Sequence, residues 1–199
     1  MKIEHITAQA LNSPGLHYAA DVVVAMPAID MIQAYRSAEL MARRCGGLEN
    51  ACLLLVEDTE REGYVAVCNR AFRASQSQYF AYVAQDAFAG RGWLRIALNH
   101  MQKTGKSMLA FNDGKWSGSL AGFGLVERQW AQAHYMGDIF FPDYKQHFAD
   151  AELTHLARNS DQLCYTPRSV LIEVDWDKDR KKSNGLDKKL FESRLNLSC

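Results

Sequence analysis

Two apolar runs in the first half of this 199-residue sequence end in acid. Leu53-Leu54-Leu55-Val56 leads into Glu57 and Asp58, and the run from Tyr79 to Ala84 leads into Gln85 and Asp86. In an open α/β sheet, ligands gather beyond the carboxyl ends of the strands. Carboxylates delivered there can accept hydrogen bonds from a base or ribose, and an acid such as Asp86 can hold a divalent cation against a diphosphate. Glu57, Asp58, Gln85 and Asp86 are therefore candidate ligand-binding residues, and Asp86 is a candidate metal ligand. Position alone also suits blander roles, a charged turn for residues 57–62 and a helix cap or loop acid for Asp86. Ala84 occupies the place where a second acid would complete Asp-x-Asp.

Strand ends can present these side chains only if the strands share a sheet. Val22-Val23-Val24-Ala25-Met26, stopped by Pro27, reads as a buried strand. Residues 29–45 have helical spacing and end at Gly46-Gly47. Residues 51–56 form the next strand. Strand, helix, strand implies a parallel pair with a right-handed crossover. A second helix over 63–74, a strand over 79–84 and a helix over 93–104 follow. The last carries Trp93, Leu94, Ile96, Ala97, Leu98 and Met101 on its apolar positions. Residues 106–111 form a fourth strand ending in Asn112, Asp113 and Gly114. Beyond it the pattern is less regular, with a helix over 150–158 and a late strand within 166–176. Residues 1–20 read as irregular, with a turn over 12–15. The charged stretch 177–199 reads as a solvated helix or tail.

Composition narrows the function. The 48% hydrophobic and 23% charged shares are those of an ordinary soluble globule. Lys plus Arg equals Asp plus Glu at 23 each, so nothing favours nucleic acid or an anionic membrane as a bulk partner. The five cysteines are odd in number and lack the spacing of a zinc or redox motif. They read as buried thiols of a protein in the reducing cytoplasm. The first residues do not resemble a signal peptide, and no run is apolar enough to span a bilayer. His147 and His155 straddle Asp150, but no His-x₃-His pair shares a helix, which argues against zinc. Ser117 and Ser119 do not form a nucleophile elbow. No Gly-x-Gly-x-x-Gly follows the first strand, and no glycine-rich basic loop marks a nucleotidyltransferase.

The order of motifs resembles glycosyltransferase family 2, in particular its short bacterial and phage members. The likeness runs over about residues 20–176. It comprises the strand ending at Pro27, then Glu57-Asp58 with Glu62-Gly63, Asn69, Asp86 and Trp93-Leu94. In the second half, Asp150, Glu152-Leu153 and Arg158 are similar to the segment that carries the family's catalytic base. Two departures stand out: Ala84 replaces the first acid of Asp-x-Asp, and Asp175 stands near the place of a late metal-binding His.

The resemblance implies an α/β protein of the GT-A type, a Rossmann-related three-layer sandwich with a mostly parallel central sheet and helices on both faces. After the segment 1–20, residues 21–112 would bind the nucleotide sugar and 113–176 the acceptor, with 177–199 as tail. The implied activity is transfer of a sugar from a nucleotide-diphosphate donor to a glycan or glycolipid acceptor, with inversion by direct displacement. Asp150 would be the catalytic base. Pro27, Glu57, Asp58, Asn69, Arg70, Gln85 and Asp86 would bind the donor. Asp86 and Asp175 would hold Mn²⁺ or Mg²⁺, Asp175 as a hard-oxygen substitute for the His. A catalytically inactive binding or assembly module on the same fold is the alternative, and a homo-oligomer is left open.

Overall fold

The structure, a computed structural model, describes residues 1–13, 18–173 and 185–197. Eight strands form one sheet. In spatial order they are β1 (Lys2–Thr7), β4 (Ala51–Glu57), β3 (Val22–Ala28), β6 (Tyr79–Tyr82), β9 (Gly124–Glu127), β8 (Met108–Asn112), β10 (Leu163–Glu173) and β7 (Ala87–Ala89). The first four are mutually parallel. β9 runs antiparallel between β6 and β8, β10 is parallel to β8, and β7 is antiparallel to β10. Two-residue strands β2 (Tyr18–Ala19) and β5 (Ser75–Gln76) pair as a side sheet.

Helices cover both faces. α1 (Met31–Arg44) and α3 (Trp93–Thr104) pack on one, α2 (Tyr64–Arg73) and α5 (Ala149–Asn159) on the other, and the short α4 (Arg128–Gln132) follows β9. β3 is buried at every position, which is why it reads as an unbroken apolar run. Val22, Val24 and Met26 pack with Ala38, Met41 and Trp93; Val23 and Ala25 pack with Cys68, Phe72 and Leu153. Local chemistry fixes the helix ends. The Asp30 side chain accepts from Gln33 N–H at 3.1 Å and starts α1. Gly105, at φ +65°, stops α3.

Several expectations need correction. Pro27 does not stop the first strand, which runs on to Ala28. The Ala25 carbonyl accepts from Val83 N–H, so residues of that parity face β6. β6 has ended where Pro27 lies, and its missing N–H costs the ladder nothing. The segment 1–20 is not irregular: β1 pairs with β4 from Lys2↔Cys52 to Thr7↔Glu57, and a 3₁₀ turn covers Ala10–Asn12. Its alternation of charged and apolar residues suits a half-exposed edge strand and hides it in an apolar-run reading. Pro14 and Gly15 of the expected turn lie outside the described residues. The late strand starts three residues early, at Leu163, and its register with β8 shifts between Tyr165 and Val170. That bulge lets one strand serve β8 with its first half and β7 with its second.

The C-terminal stretch is not merely solvated. Its described part is α6 (Gly185–Leu197), which docks on α5 and the loop before it. Arg194 donates through Nε and Nη2 to both oxygens of buried Glu152, at 2.7 and 2.8 Å. Tyr135 and Tyr144 hydroxyls donate to the same carboxylate at 2.7 Å each. Burial pushes the Glu152 carboxyl up, but Arg194 and the two phenols outweigh it and hold it below its usual range.

Candidate active site

The carboxyl ends of β3, β4 and β6 open into a cleft of about 800 Å³. Residues 27–29 after β3, Asp58, Arg61 and Gly63 after β4, and Ala84 and Gln85 after β6 line one side. Trp116, Leu120, Gly122 and Phe123, the stretch 146–151, and Glu173 at the end of β10 line the other. The strand ends therefore deliver polar groups to one hollow, as the parallel core demands.

Four expected site residues meet there: Pro27, Asp58, Gln85 and Asp150. Asp58 is buried, and its carboxylate organises its own loop. It accepts from Glu62 N–H at 2.9 Å and Gly63 N–H at 3.0 Å. Gln85 ties two strand ends together. Its Oε1 accepts from the N–H groups of Ile29 and Asp30, at 2.8 and 3.0 Å, and its Nε2 donates to Gln33.

The other expected residues do not line the cleft. Glu57 contacts His5 at 3.2 Å, on the β1 side of the sheet. Asn69 is buried and clamps the backbone of Phe140, donating to its carbonyl and accepting from its N–H, both at 3.0 Å. It thereby positions the cleft wall rather than a ligand. Arg70 is ion-paired with Glu62. Asp86 is buried in the turn between β6 and β7. Asp175 lies outside the described residues.

Asp150 stands in the first turn of α5, where the helix dipole favours a carboxylate. Its Oδ1 accepts from Ala151 N–H at 2.9 Å. Burial nonetheless pushes its carboxyl up to about 6; the backbone bonds pull the other way, and the charge of Glu173 adds to the rise. Burial raises the phenols of Tyr82 and Tyr64 well above their usual value; the Asp150 charge is the next cause at Tyr82 and a small one at Tyr64, behind Cys68 and Tyr82. Both stay neutral and donate to the carbonyls of Ala121 and Val83. Gly122 lies beside the acid: a Cβ there would make ordinary contact with Asp150 Oδ2, at 3.8 Å.

The wall before α5 is held from α6. Buried Asp187 accepts from the consecutive N–H groups of Lys145, Gln146 and His147 at 3.0–3.1 Å. Phe191 of α6 stacks on Phe148, with ring centroids 5.3 Å apart. Phe148 takes the left-handed φ of +69° that starts α5 and aims Asp150 into the cleft.

Sequence reasoning missed Arg61, Trp116 and Glu173. Arg61 is the one Lys or Arg side chain among the described residues that lines the cleft. Glu173 receives Lys115 Nζ at 3.1 Å and is in register with Ala87, next to Asp86. The signal for Glu173 was the rule already applied to β4 and β6, an acid at the end of an apolar strand.

No family model matches the sequence, and no curated protein is similar to it in sequence. Solved structures are similar in fold. The mannosyltransferase PcManGT from Pyrobaculum calidifontis, in complex with GDP-Man and Mn²⁺, superposes with a TM-score of 0.64 at 12% identity over 87% of this chain and 68% of that one. A Drosophila β-1,4-galactosyltransferase 7 variant with manganese, UDP-Gal and xylobiose gives 0.65 at 13%, over 87% and 79%. Glucosyl-3-phosphoglycerate synthase from Mycobacterium tuberculosis with Mg²⁺ and UDP gives 0.54 at 12%, over 94% and 81%. The chain has the GT-A fold, with a mostly parallel central sheet between helical layers.

Proposed function

We propose that this protein is a glycosyltransferase that moves a sugar from a nucleotide-diphosphate donor to a glycan or glycolipid acceptor. The observation that carries the reading is Asp150. It is a carboxylate of raised pKa in the cleft at the strand ends of a GT-A sheet, where a proton acceptor is needed. The similar solved structures bind GDP-Man, UDP-Gal or UDP. The donor would lie along Pro27, Asp58 and Gln85, with the guanidinium of Arg61 facing its diphosphate. Glu57, Asn69 and Arg70 serve from outside the cleft, by fixing the strand end, Phe140 and Glu62.

The step is a direct displacement. The acceptor hydroxyl oxygen forms a bond to the anomeric carbon as its proton passes to the Asp150 carboxylate. The bond from that carbon to the diphosphate breaks, and the nucleoside diphosphate leaves with the electron pair. The configuration inverts. Mn²⁺ or Mg²⁺, when bound, offsets charge on the leaving diphosphate. Asp86 and Asp175 are the residues proposed to hold it. Asp86, next to Ala87, and Glu173, in register with Ala87 and lining the cleft, supply hard carboxylate oxygens of the right kind. Among the described residues no group of three metal-binding side chains comes together, so no step is routed through the ion.

The free thiols of Cys45, Cys52 and Cys68 support a cytoplasmic location. No described helix is long and apolar enough to cross a membrane. The test is release of nucleoside diphosphate from a panel of UDP- and GDP-sugars with Mn²⁺, with and without glycan acceptors. Turnover that falls about 10²-fold or more in Asp150→Asn, with nucleotide binding kept, supports the proposal. Nucleotide binding with no turnover of any donor contradicts it and favours an inactive binding module.

A further inference from the structure

The charge balance of the whole chain is not repeated on α1. Ala34, Ala38 and Met41 bury one side of this helix in the core. The opposite stripe is Ile32, Arg36, Glu39 and Arg43, and all four are exposed. Arg44, Arg91 and Arg95 gather where α1 ends. Gly92 N–H donates to the Arg44 carbonyl at 2.7 Å, and Arg95 donates to the carbonyls of Gly46 and Gly47. Arg44 donates to the Ala89 carbonyl at 2.7 Å. Those acceptors are neutral. Arg36, Arg43, Arg44, Arg91 and Arg95 form no ion pair with a described carboxylate, whereas Arg70, Arg73 and Arg194 each have one. The exposed acids of the same stretch are Asp30, Glu39 and Glu49, so cations are in excess. At its start α1 turns apolar. Ile29 precedes the cap Asp30, where an apolar residue often packs back onto the helix, yet it is 58% exposed. Ile32 is 71% exposed and Tyr35 40%. Ile29 also lines the cleft.

We propose that this face of α1 docks on an anionic membrane surface, with Ile29, Ile32 and Tyr35 at the headgroup boundary and the arginines on the anionic lipids. Aliphatic side chains and a phenol, apolar in body and wet at its tip, suit that boundary, and each cation near an anionic leaflet adds to binding. An acidic protein surface would match the arginines but not the isoleucines. A second copy docked by the same face would set arginines against arginines, with Glu39 the one carboxylate on the stripe. Docking also brings the cleft to the membrane, because Ile29 belongs to both. A lipid-linked acceptor then meets the cleft at headgroup level. That consequence rests on the glycosyltransferase reading; the docking itself does not.

The test is flotation of the full chain with vesicles of phosphatidylcholine alone, and of phosphatidylcholine and phosphatidylglycerol at about two to one. The proposal expects binding to the mixed vesicles that is weak on phosphatidylcholine alone and lost as salt is raised. A variant carrying Arg36→Gln and Arg43→Gln should bind about 30-fold more weakly, and Ile32→Ser about tenfold. All three side chains are exposed, so the melting temperature should stay unchanged in both variants. No binding of the wild-type chain to the mixed vesicles, or variants that bind as well as wild type, overturns the proposal. So does a dimer in sedimentation equilibrium that these substitutions break apart, which assigns the face to a second copy. Vesicle binding without sugar transfer from any donor upholds the docking and sinks the glycosyltransferase reading.

Discussion

Asp150→Asn should abolish transfer and stabilise the protein. In the fold the Asp150 carboxyl is pushed up to about 6, against an ordinary value of 3.8. A folded-state value above the unfolded one means that the native state binds the proton more tightly. The stability this adds is complete below the unfolded value of about 4 and is lost as pH rises through about 6. At pH 7.5 the ionised carboxylate therefore costs the native state about 3 kcal/mol, at about 1.36 kcal/mol per unit, and about 1–3 once partial access to water is allowed for. Asn removes the charge and keeps Oδ1 as acceptor for Ala151 N–H. For a chain of this length each kcal/mol moves the melting temperature by about 2–4 °C. Melts of both proteins between pH 4 and pH 8 should show Asn ahead at pH 7.5, with the gap closing toward pH 4. In the wild-type protein, kcat/KM of the proposed transfer should fall on the acid side with a midpoint near 6, because the base must be ionised. An Asn variant that is less stable at pH 7.5, or a gap that does not change with pH, refutes the placement of a half-buried base whose charge the fold disfavours.

Arg194→Ala leaves buried Glu152 without its cation, and with Arg194 itself partly exposed the loss should be about 2–4 kcal/mol in denaturant unfolding. Asp187→Ala strips three N–H groups of their acceptor at residues 145–147. It should lower the melting temperature and raise acceptor KM more than donor KM, since the freed segment is the wall beside Asp150. Gly63→Ala should cost about 1–3 kcal/mol. The backbone there has φ +103°, and a Cβ would sit 2.8 Å from the Lys145 carbonyl.

The parts of the fold that sequence reveals are those with one dominant force. β3 and β4 are buried on both faces and read as apolar runs, and α3 has the 93–104 limits its periodicity predicts. β1 and β9 are hidden, because an edge strand alternates and Gly124–Glu127 sits in a glycine-rich segment. α6 is held by single charged side chains, Asp187 and Arg194, whose partners lie 40 or so residues away. The site divides the same way. Neighbouring residues at a strand end point to opposite sides, so Asp58 turns into the cleft and Glu57 away from it. Asn69, to which the resemblance gives a donor-binding role, clamps the Phe140 backbone instead. Trp116 is indistinguishable in sequence from the aromatics that pack the core, and only its exposure singles it out.

The account stands or falls on what the cleft at the ends of β3, β4 and β6 binds. A crystal soaked with UDP or GDP and Mn²⁺ measures that directly. The prediction is a nucleotide lying along Pro27, Asp58 and Gln85 with its diphosphate turned toward Arg61 and within reach of Asp150. A nucleotide seated elsewhere, such as the smaller hollow beside Lys2 and Tyr18, or absent at saturating concentration, would contradict it.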